Sequence, residues 1–394
     1  MDRMIKTCCL GHRMETEMKL GMVFEGGANR TVFSCGVMDK FLEEDIMPDY
    51  YIGVSAGMAY GLSYLSGQKG RNLELMEKYM ADKRYMGMRH LLNRQEHAYY
   101  NTKFVFEEVP NELLPFDYDA LARFPGEIEA AVTNIHTGKA EYMEVPRGKD
   151  MRDLLVATCS LPILFQPVKL GRHYYLDGGL ADSIPYEHAL EKGCEKIVVV
   201  LTRERGYVKK KEKAAGVMNR LYQRYPKIVE DMKLRAERYN ASMEKLMQLE
   251  KEGKVFVIAP ESTYGVGRTE TDTVKLRRLY DEGYRMFSCN LNTYIGLLAA
   301  DTAIMLREAD KCPEIHLSAV ITGTRYPADT DKVYCALYDD LIKKADSKET
   351  LSEKDSLTGA FAAGHIICYY EDFSLEMQRI RMSATPCTNI RKMI

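Results

Sequence analysis

The pentapeptide Gly53-Val54-Ser55-Ala56-Gly57 narrows the possible folds of this chain more than any other feature. It lies between an apolar run, Tyr50 to Val54, and a helical pattern, Met58 to Leu65. A serine at a sharp strand-to-helix turn is held in strained backbone geometry. Glycines two residues to either side let the strand and helix pass closely, so the hydroxyl projects into a cleft. The helix N-terminus behind it favours developing negative charge. Alone, such a serine also reads as a helix cap, so its meaning depends on what the rest of the chain brings to it.

Two other segments carry matching signals. Lys19 to Phe24 predicts a short buried strand, followed by Glu25-Gly26-Gly27-Ala28-Asn29-Arg30 and a helix with the apolar face Phe33, Val37, Phe41 and Leu42. Backbone NH groups of Gly27 and Ala28 can point at an oxyanion, because minimal side chains let the main chain approach a reacting carbonyl, and Arg30 adds charge. Much later, His173 to Leu176 predicts a strand that delivers Asp177-Gly178-Gly179 onto a loop, which makes Asp177 the candidate general base. Read singly, Gly26-Gly27 is a tight loop, Arg30 a surface cation and Asp177 turn chemistry. Together, each at the end of a predicted strand, they point to one active site.

In this combination and order the chain resembles the patatin-like phospholipase family, whose signature is a glycine-rich oxyanion loop, G-x-S-x-G and a downstream D-G-G or D-G-A. Supporting blocks are Ala157-Thr158-Cys159-Ser160-Leu161-Pro162, Phe165-Gln166-Pro167, Asp177 through Pro185 and the strand Lys196 to Leu201. The resemblance runs from about Lys19 to Val200. It continues more weakly through Tyr225-Pro226, Glu237-Arg238-Tyr239-Asn240 and Lys254 to Pro260. It implies a three-layer α/β/α fold with a mostly parallel central sheet, plus a C-terminal appendage. It also implies a serine acyl hydrolase acting on phospholipid or other lipid esters, with Ser55 as nucleophile and Asp177 as its base, no histidine between them, and an acyl-serine intermediate. Gly26, Gly27, Ala28 and Arg30 would form the oxyanion and substrate-binding loop, and Gly53, Gly57, Gly178 and Gly179 the backbone of the motifs. An aspartate near its ordinary pKa of about 4 is a poor base for a hydroxyl, so a dry cleft must raise its basicity. The chain departs from the family at Ala28 and Thr31, where the loop usually carries glycine. A left-handed alanine costs roughly 1 kcal/mol, which keeps open a second class of protein, a catalytically silent lipid-binding scaffold on the same fold.

Alternating strands and helices also predict a mostly parallel sheet with active groups beyond the strands' C-terminal ends. The expected organisation is an N-terminal extension at 1–18, a catalytic domain at 19–202, a helical and strand continuation at 203–289 and an accessory region at 290–394. Leu73 to Phe106 would roof the cleft, and Ile128 to Thr133 with Ala140 to Val145 would extend the sheet or form a hairpin. Behind Pro226, Val229, Met232, Ala236, Tyr239, Met243 and Leu246 recur at helical spacing, either docking on their own domain or serving as a lid. Lys254 to Ala259 predicts a strand and Thr273 to Phe287 a helix. Arg203, Arg205, Lys209, Lys210, Lys211 and Lys213 crowd one loop, which reads as a solvated run or as a contact with an anionic membrane surface.

Other chemistries find less support. His188 follows Asp177 and would complete a Ser-Asp-His order, but it lies in the helical stretch Pro185 to Lys192, where a solvated or capping role is expected. The other histidines show no paired spacing and there is no C-x-x-C, so no metal or cofactor is expected, calcium included. Cys35, Cys159 and Cys194 sit among apolar residues and read as reduced core thiols. With 394 residues, 46% hydrophobic, 28% charged and a net charge of -2, the chain is long enough for one large α/β domain with an appendage, and its charge argues against general nucleic-acid binding. Scattered cysteines and no apolar leader predict a cytoplasmic protein, peripheral to a membrane at most, since no run of eighteen apolar residues occurs. Oligomeric state carries no signature.

Overall fold

The apolar runs pair around β1 (Leu20–Phe24), which lies between β2 (Tyr50–Val54) and β7 (Lys196–Val200), parallel to both. Beyond β7 lies parallel β8 (Val255–Ile258), and beyond β2 lies parallel β3 (Glu127–Asn134). Every residue of β2 is buried, as both faces of a parallel sheet must be, which is why this strand reads as a continuous apolar run. The antiparallel part comprises β4 (Ala140–Glu144), β5 (Val168–Leu170) and β6 (His173–Asp177), and the hydrogen-bonded order is β5-β6-β3-β2-β1-β7-β8 with β4 on β3. The predicted hairpin is thus β3 and β4, while β5 carries no alternation in sequence that would have marked it. The computed structural model describes residues 19–92, 98–211 and 220–286, all within one compact unit, Lys19–Ser288. The expected 1–18 extension with Cys8, Cys9 and His12, Lys213 and the accessory region 290–394 lie outside the described residues.

Helices flank the sheet: α1 (Val32–Glu43), α2 (Ala56–Leu65), α3 (Arg71–Tyr79), α4 (Tyr118–Arg123), α5 (Arg152–Thr158), α6 (Tyr186–Glu191) and α7 (Pro226–Lys251). Residues 273–286 are also helical. Pro226 opens α7 at the position where a missing NH costs nothing. Of the predicted stripe, Val229, Ala236, Tyr239, Met243 and Leu246 are buried. Tyr239, Met243 and Leu246 pack with Val23, Ile52, Val199 and Val257 of the sheet, so this face docks on its own domain. The roof over the cleft includes α3 and a wider π-type coil, Phe104–Leu113, with Pro110 inside it, where a regular α-helix would clash with the ring.

One detail of register positions the site. β2 pairs with β3 up to Val54↔Ala131, and β6 pairs with β3 from Val132↔Asp177 onward. Glu127 N bonds Asp49 O just ahead of β2, and Ile135 N bonds Tyr174 O in β6. The even spacing from 127 to 135 puts both bonds on the same edge of β3, since backbone groups alternate sides along a strand. β2 and β6 therefore meet end to end on that edge, running toward each other, and their last residues bring Ser55 and Asp177 together.

The docking of α7 is testable. Leu246→Ala, at a side chain with 0% exposure, should destabilise the protein by about 2–5 kcal/mol in urea unfolding; a loss below about 1 kcal/mol would mean that the stripe is not part of the core.

Candidate active site

Ser55 connects β2 to α2 with φ 54 and ψ -128, the only non-glycine conformation at this turn outside the ordinary regions. Sidedness of the two glycines explains how it is held. A Cβ on Gly53 would lie 2.6 Å from Met58 N, and one on Gly57 would lie 2.5 Å from Phe24 O. Any larger residue would force the helix away from the strand or from β1. The Ser55 amide donates to Thr158 Oγ1 at 3.0 Å, and that hydroxyl donates to Ala131 O at 2.6 Å. Thr158 thus plugs the gap on β3 where β2 stops and β6 has not begun. Only its place in the Ala157 to Pro162 block marked it in sequence; its role as a clamp needed the fold.

Asp177 ends β6 and is 2% exposed. Its NH donates to Ser160 O at 2.9 Å and its C=O accepts from Thr133 Oγ1 at 2.8 Å, so its backbone is fixed on both sides. One carboxylate oxygen, Oδ1, accepts from Gly179 N at 2.8 Å. The other, Oδ2, is buried and takes no hydrogen bond from a protein group. Burial raises the pKa of this carboxyl, and the Ser55 hydroxyl is the largest influence pulling it back, ahead of Arg235 and the Gly179 amide. The two side chains therefore lie within each other's reach across a contact that is not a formed hydrogen bond. Gly178 packs on β3, where a Cβ would sit 2.3 Å from Ala131 O, and Gly179 O accepts from Arg235 Nε at 2.7 Å. Cys159, read from sequence as a core thiol, borders the same pair: burial and then Asp177 push its thiol up, while the Ser55 hydroxyl opposes them.

The glycine turn presses on the elbow from the other side. A Cβ on Gly26 would lie 2.7 Å from Ser55 Cβ, and one on Gly27 would lie 2.7 Å from Thr202 Oγ1. Glu25 anchors this turn by accepting from Thr202 N at 2.7 Å, Thr202 Oγ1 at 3.0 Å and Tyr239 OH at 3.0 Å. Ala28 adopts φ 50, the left-handed conformation that glycine would take without strain. Thr31, in contrast, has φ -63 and needs no glycine. Arg30 is 7% exposed, so it is not a surface cation. The Gly27 and Ala28 amides donate to no backbone acceptor among the described residues.

A cleft opens from Ser55, lined by apolar groups such as Ala59, Leu75, Tyr100, Phe116, Leu155 and Phe165. Along it α2 presents Ala56, Ala59, Tyr60 and Ser63, one face of the helix. At its far side Arg71 is satisfied by Ser63 Oγ at 3.2 Å and Leu114 O at 2.7 Å. His188 belongs to another network: its Nε2 lies 2.8 Å from Glu129 Oε2 and its ring stacks on Tyr142 at 3.8 Å, and none of the three lines the cleft. Of the basic loop, Arg205 pairs with Glu250, Lys211 with Glu237, and Lys209 sits over the Tyr239 ring. Among the described residues no three His, Cys, Asp or Glu side chains are grouped to hold a metal ion, and no helix is long and apolar enough to cross a membrane.

Residues 22–190 match the family described as patatin-like phospholipase, and residues 225–299 match a domain of unknown function, DUF6363. An uncharacterized protein of Escherichia coli K12, YjjU, is 25% identical over 201 residues, 47% of this chain and 52% of that protein, so the chain spans about half the length of this curated relative. The crystal structure of VipD from Legionella pneumophila aligns over 93% of this chain and 84% of its own at 12% identity, with a TM-score of 0.35.

Thr158→Val keeps the shape of the clamp but removes its acceptor and donor, stranding the Ser55 amide and the Ala131 carbonyl. Urea unfolding should show a loss of about 1–3 kcal/mol; a change within about 0.5 kcal/mol would mean that water or a shifted backbone replaces the clamp.

Proposed function

We propose, from the premise that residues 22–190 are a patatin-like phospholipase domain, that the protein is a lipid acyl hydrolase working through Ser55 and Asp177. The observation that carries this reading is the buried Asp177 Oδ2, which lacks a donor beside the strained Ser55 at the mouth of an apolar cleft. Asp177 takes the hydroxyl proton as Ser55 Oγ attacks the ester carbonyl, and the acyl chain lies along the α2 face. The oxyanion of the tetrahedral intermediate accepts from the Gly27 and Ala28 amides, each donor of this kind being worth about 2.7–4 kcal/mol in the transition state. Collapse breaks the bond to the alcohol, which leaves with the proton from Asp177. Water then attacks the acyl-serine, its proton passing to Asp177, and collapse breaks the bond to Ser55 Oγ, which takes that proton back as the fatty acid leaves. The substrate class is a phospholipid or lysophospholipid ester. The strained Ala28 supports a second reading, a silent lipid-binding scaffold, since a misplaced amide would cost turnover without harming the fold.

A fluorophosphonate probe separates the two: labelling lost in Ser55→Ala identifies the enzyme, and no labelling of folded protein identifies the scaffold. Because the Asp177 pKa is raised, hydrolysis should rise with pH through a midpoint above the usual carboxylate range and disappear in Asp177→Asn. The folded state then holds this proton to higher pH than the unfolded chain, so stability falls as pH rises through that window. Asp177→Asn should accordingly melt higher than wild type at about pH 8, with the difference shrinking below the unfolded carboxyl's pKa. Full activity in that variant, or a lower Tm, contradicts the assignment. Ala59→Phe fills the cleft and should reduce kcat/KM for long-chain p-nitrophenyl esters at least tenfold more than for the acetate; equal effects on both would place the acyl chain elsewhere.

A further inference from the structure

Resting on the hydrolase reading, we propose that Arg30, Arg203 and Arg268 form an anion subsite for a phosphate group on the substrate's alcohol, on the β1 and β7 side of Ser55. None of the three is among the residues lining the apolar cleft, so ester substrate would lie across Ser55 with its chain on one side and its headgroup on the other. Three separate segments bring them together at the Gly26 to Arg30 turn. Arg30 ends that turn. Arg203 follows Thr202, whose Oγ1 packs against Gly27 and is held by Glu25. Arg268 reaches it through its backbone carbonyl, which accepts from Asn29 N and from Tyr100 OH, both at 3.4 Å.

The three grade from inside to outside, Arg30 being buried, Arg203 half-buried and Arg268 exposed, as a path for an incoming anion requires. Arg30 Nε is buried without a hydrogen-bond partner. Arg203 lays its guanidinium over the Tyr207 ring at 4.6 Å, which orients the fork without satisfying its NH groups. Glu25 is the acid that faces Arg30, and it already accepts three hydrogen bonds from Thr202 and Tyr239. A buried charge whose counter-ion is already engaged by other donors is costly, and a buried guanidinium Nε without an acceptor suits a phosphate oxygen. Burial first and then Arg203 lower the Arg30 pKa to about 10, with Glu25 opposing; Arg30 remains charged at neutral pH. Arg268 acts on Asp177 as well as on Arg30, so the subsite adjoins the reacting ester.

The test is a specificity ratio on the full chain: kcat/KM for 1-acylglycerol 3-phosphate divided by kcat/KM for the 1-acylglycerol of the same chain. The ratio should exceed about ten in wild type, fall at least tenfold in Arg203→Gln and in Arg268→Gln, and be partly restored in Arg203→Lys. A wild-type ratio near one, or an unchanged ratio in the glutamine variants, overturns a headgroup site. Thermal shift of Ser55→Ala with millimolar inorganic phosphate separates a lipid phosphate from a free one and needs no turnover. Stabilisation by inorganic phosphate that Arg203→Gln removes, without preference between the esters, assigns the subsite to free phosphate. If neither ester is cleaved, the hydrolase reading fails by itself; phosphate stabilisation then still supports the subsite, and its absence overturns both.

Discussion

The backbone at Ser55 is the constraint on which the rest of the site depends. Holding a non-glycine residue at φ 54 and ψ -128 costs on the order of 1–3 kcal/mol, and it persists because its surroundings leave no alternative. Gly53 lets α2 fold back onto β2, Gly57 lets it pass under the end of β1, and Gly26 lets the glycine turn close over the serine. Thr158 fixes the amide from the remaining side. Four residues thus determine the direction of one hydroxyl, and the glycines contribute through backbone approaches that a larger side chain would prevent.

Asp177 is constrained by the complementary means of withdrawing solvent. A carboxylate in water has several donors per oxygen, whereas Oδ1 here has one amide and Oδ2 none. The meeting of β2 and β6 on one edge of β3 puts this poorly solvated group next to the serine.

Much of this is legible in the chain. The strands β1, β2, β7 and β8 are apolar runs, β3, β4 and β6 mix apolar with polar residues between turn signals, and the α7 stripe follows a strict helical period, so local physics suffices to find them. The three motifs point to Ser55, Asp177 and Gly26 to Arg30 because their residue types are demanded by chemistry at strand ends. What the chain conceals is contact made by ordinary residues. No local signature marks the contacts made by Thr158, Tyr239 and Arg235, since a threonine plug, a tyrosine brace and a buried arginine differ from core and surface residues only in what they touch. Arg30, read singly, passes for an exposed cation for the same reason, and three-residue β5 is too short for any period to appear.

The helix α7 binds two halves of the site at once. Tyr239 OH donates to Glu25 beneath the glycine turn, and one turn earlier Arg235 Nε donates to Gly179 O behind Asp177. Both braces come from beyond residue 190, where the patatin-like match ends. The smallest piece of chain able to hold serine, aspartate and turn in register is therefore longer than its recognisable motif. A terminus introduced between β7 and α7 would leave every signature residue in place yet remove, in one cut, the hydroxyl beneath the glycine turn and the guanidinium behind Asp177.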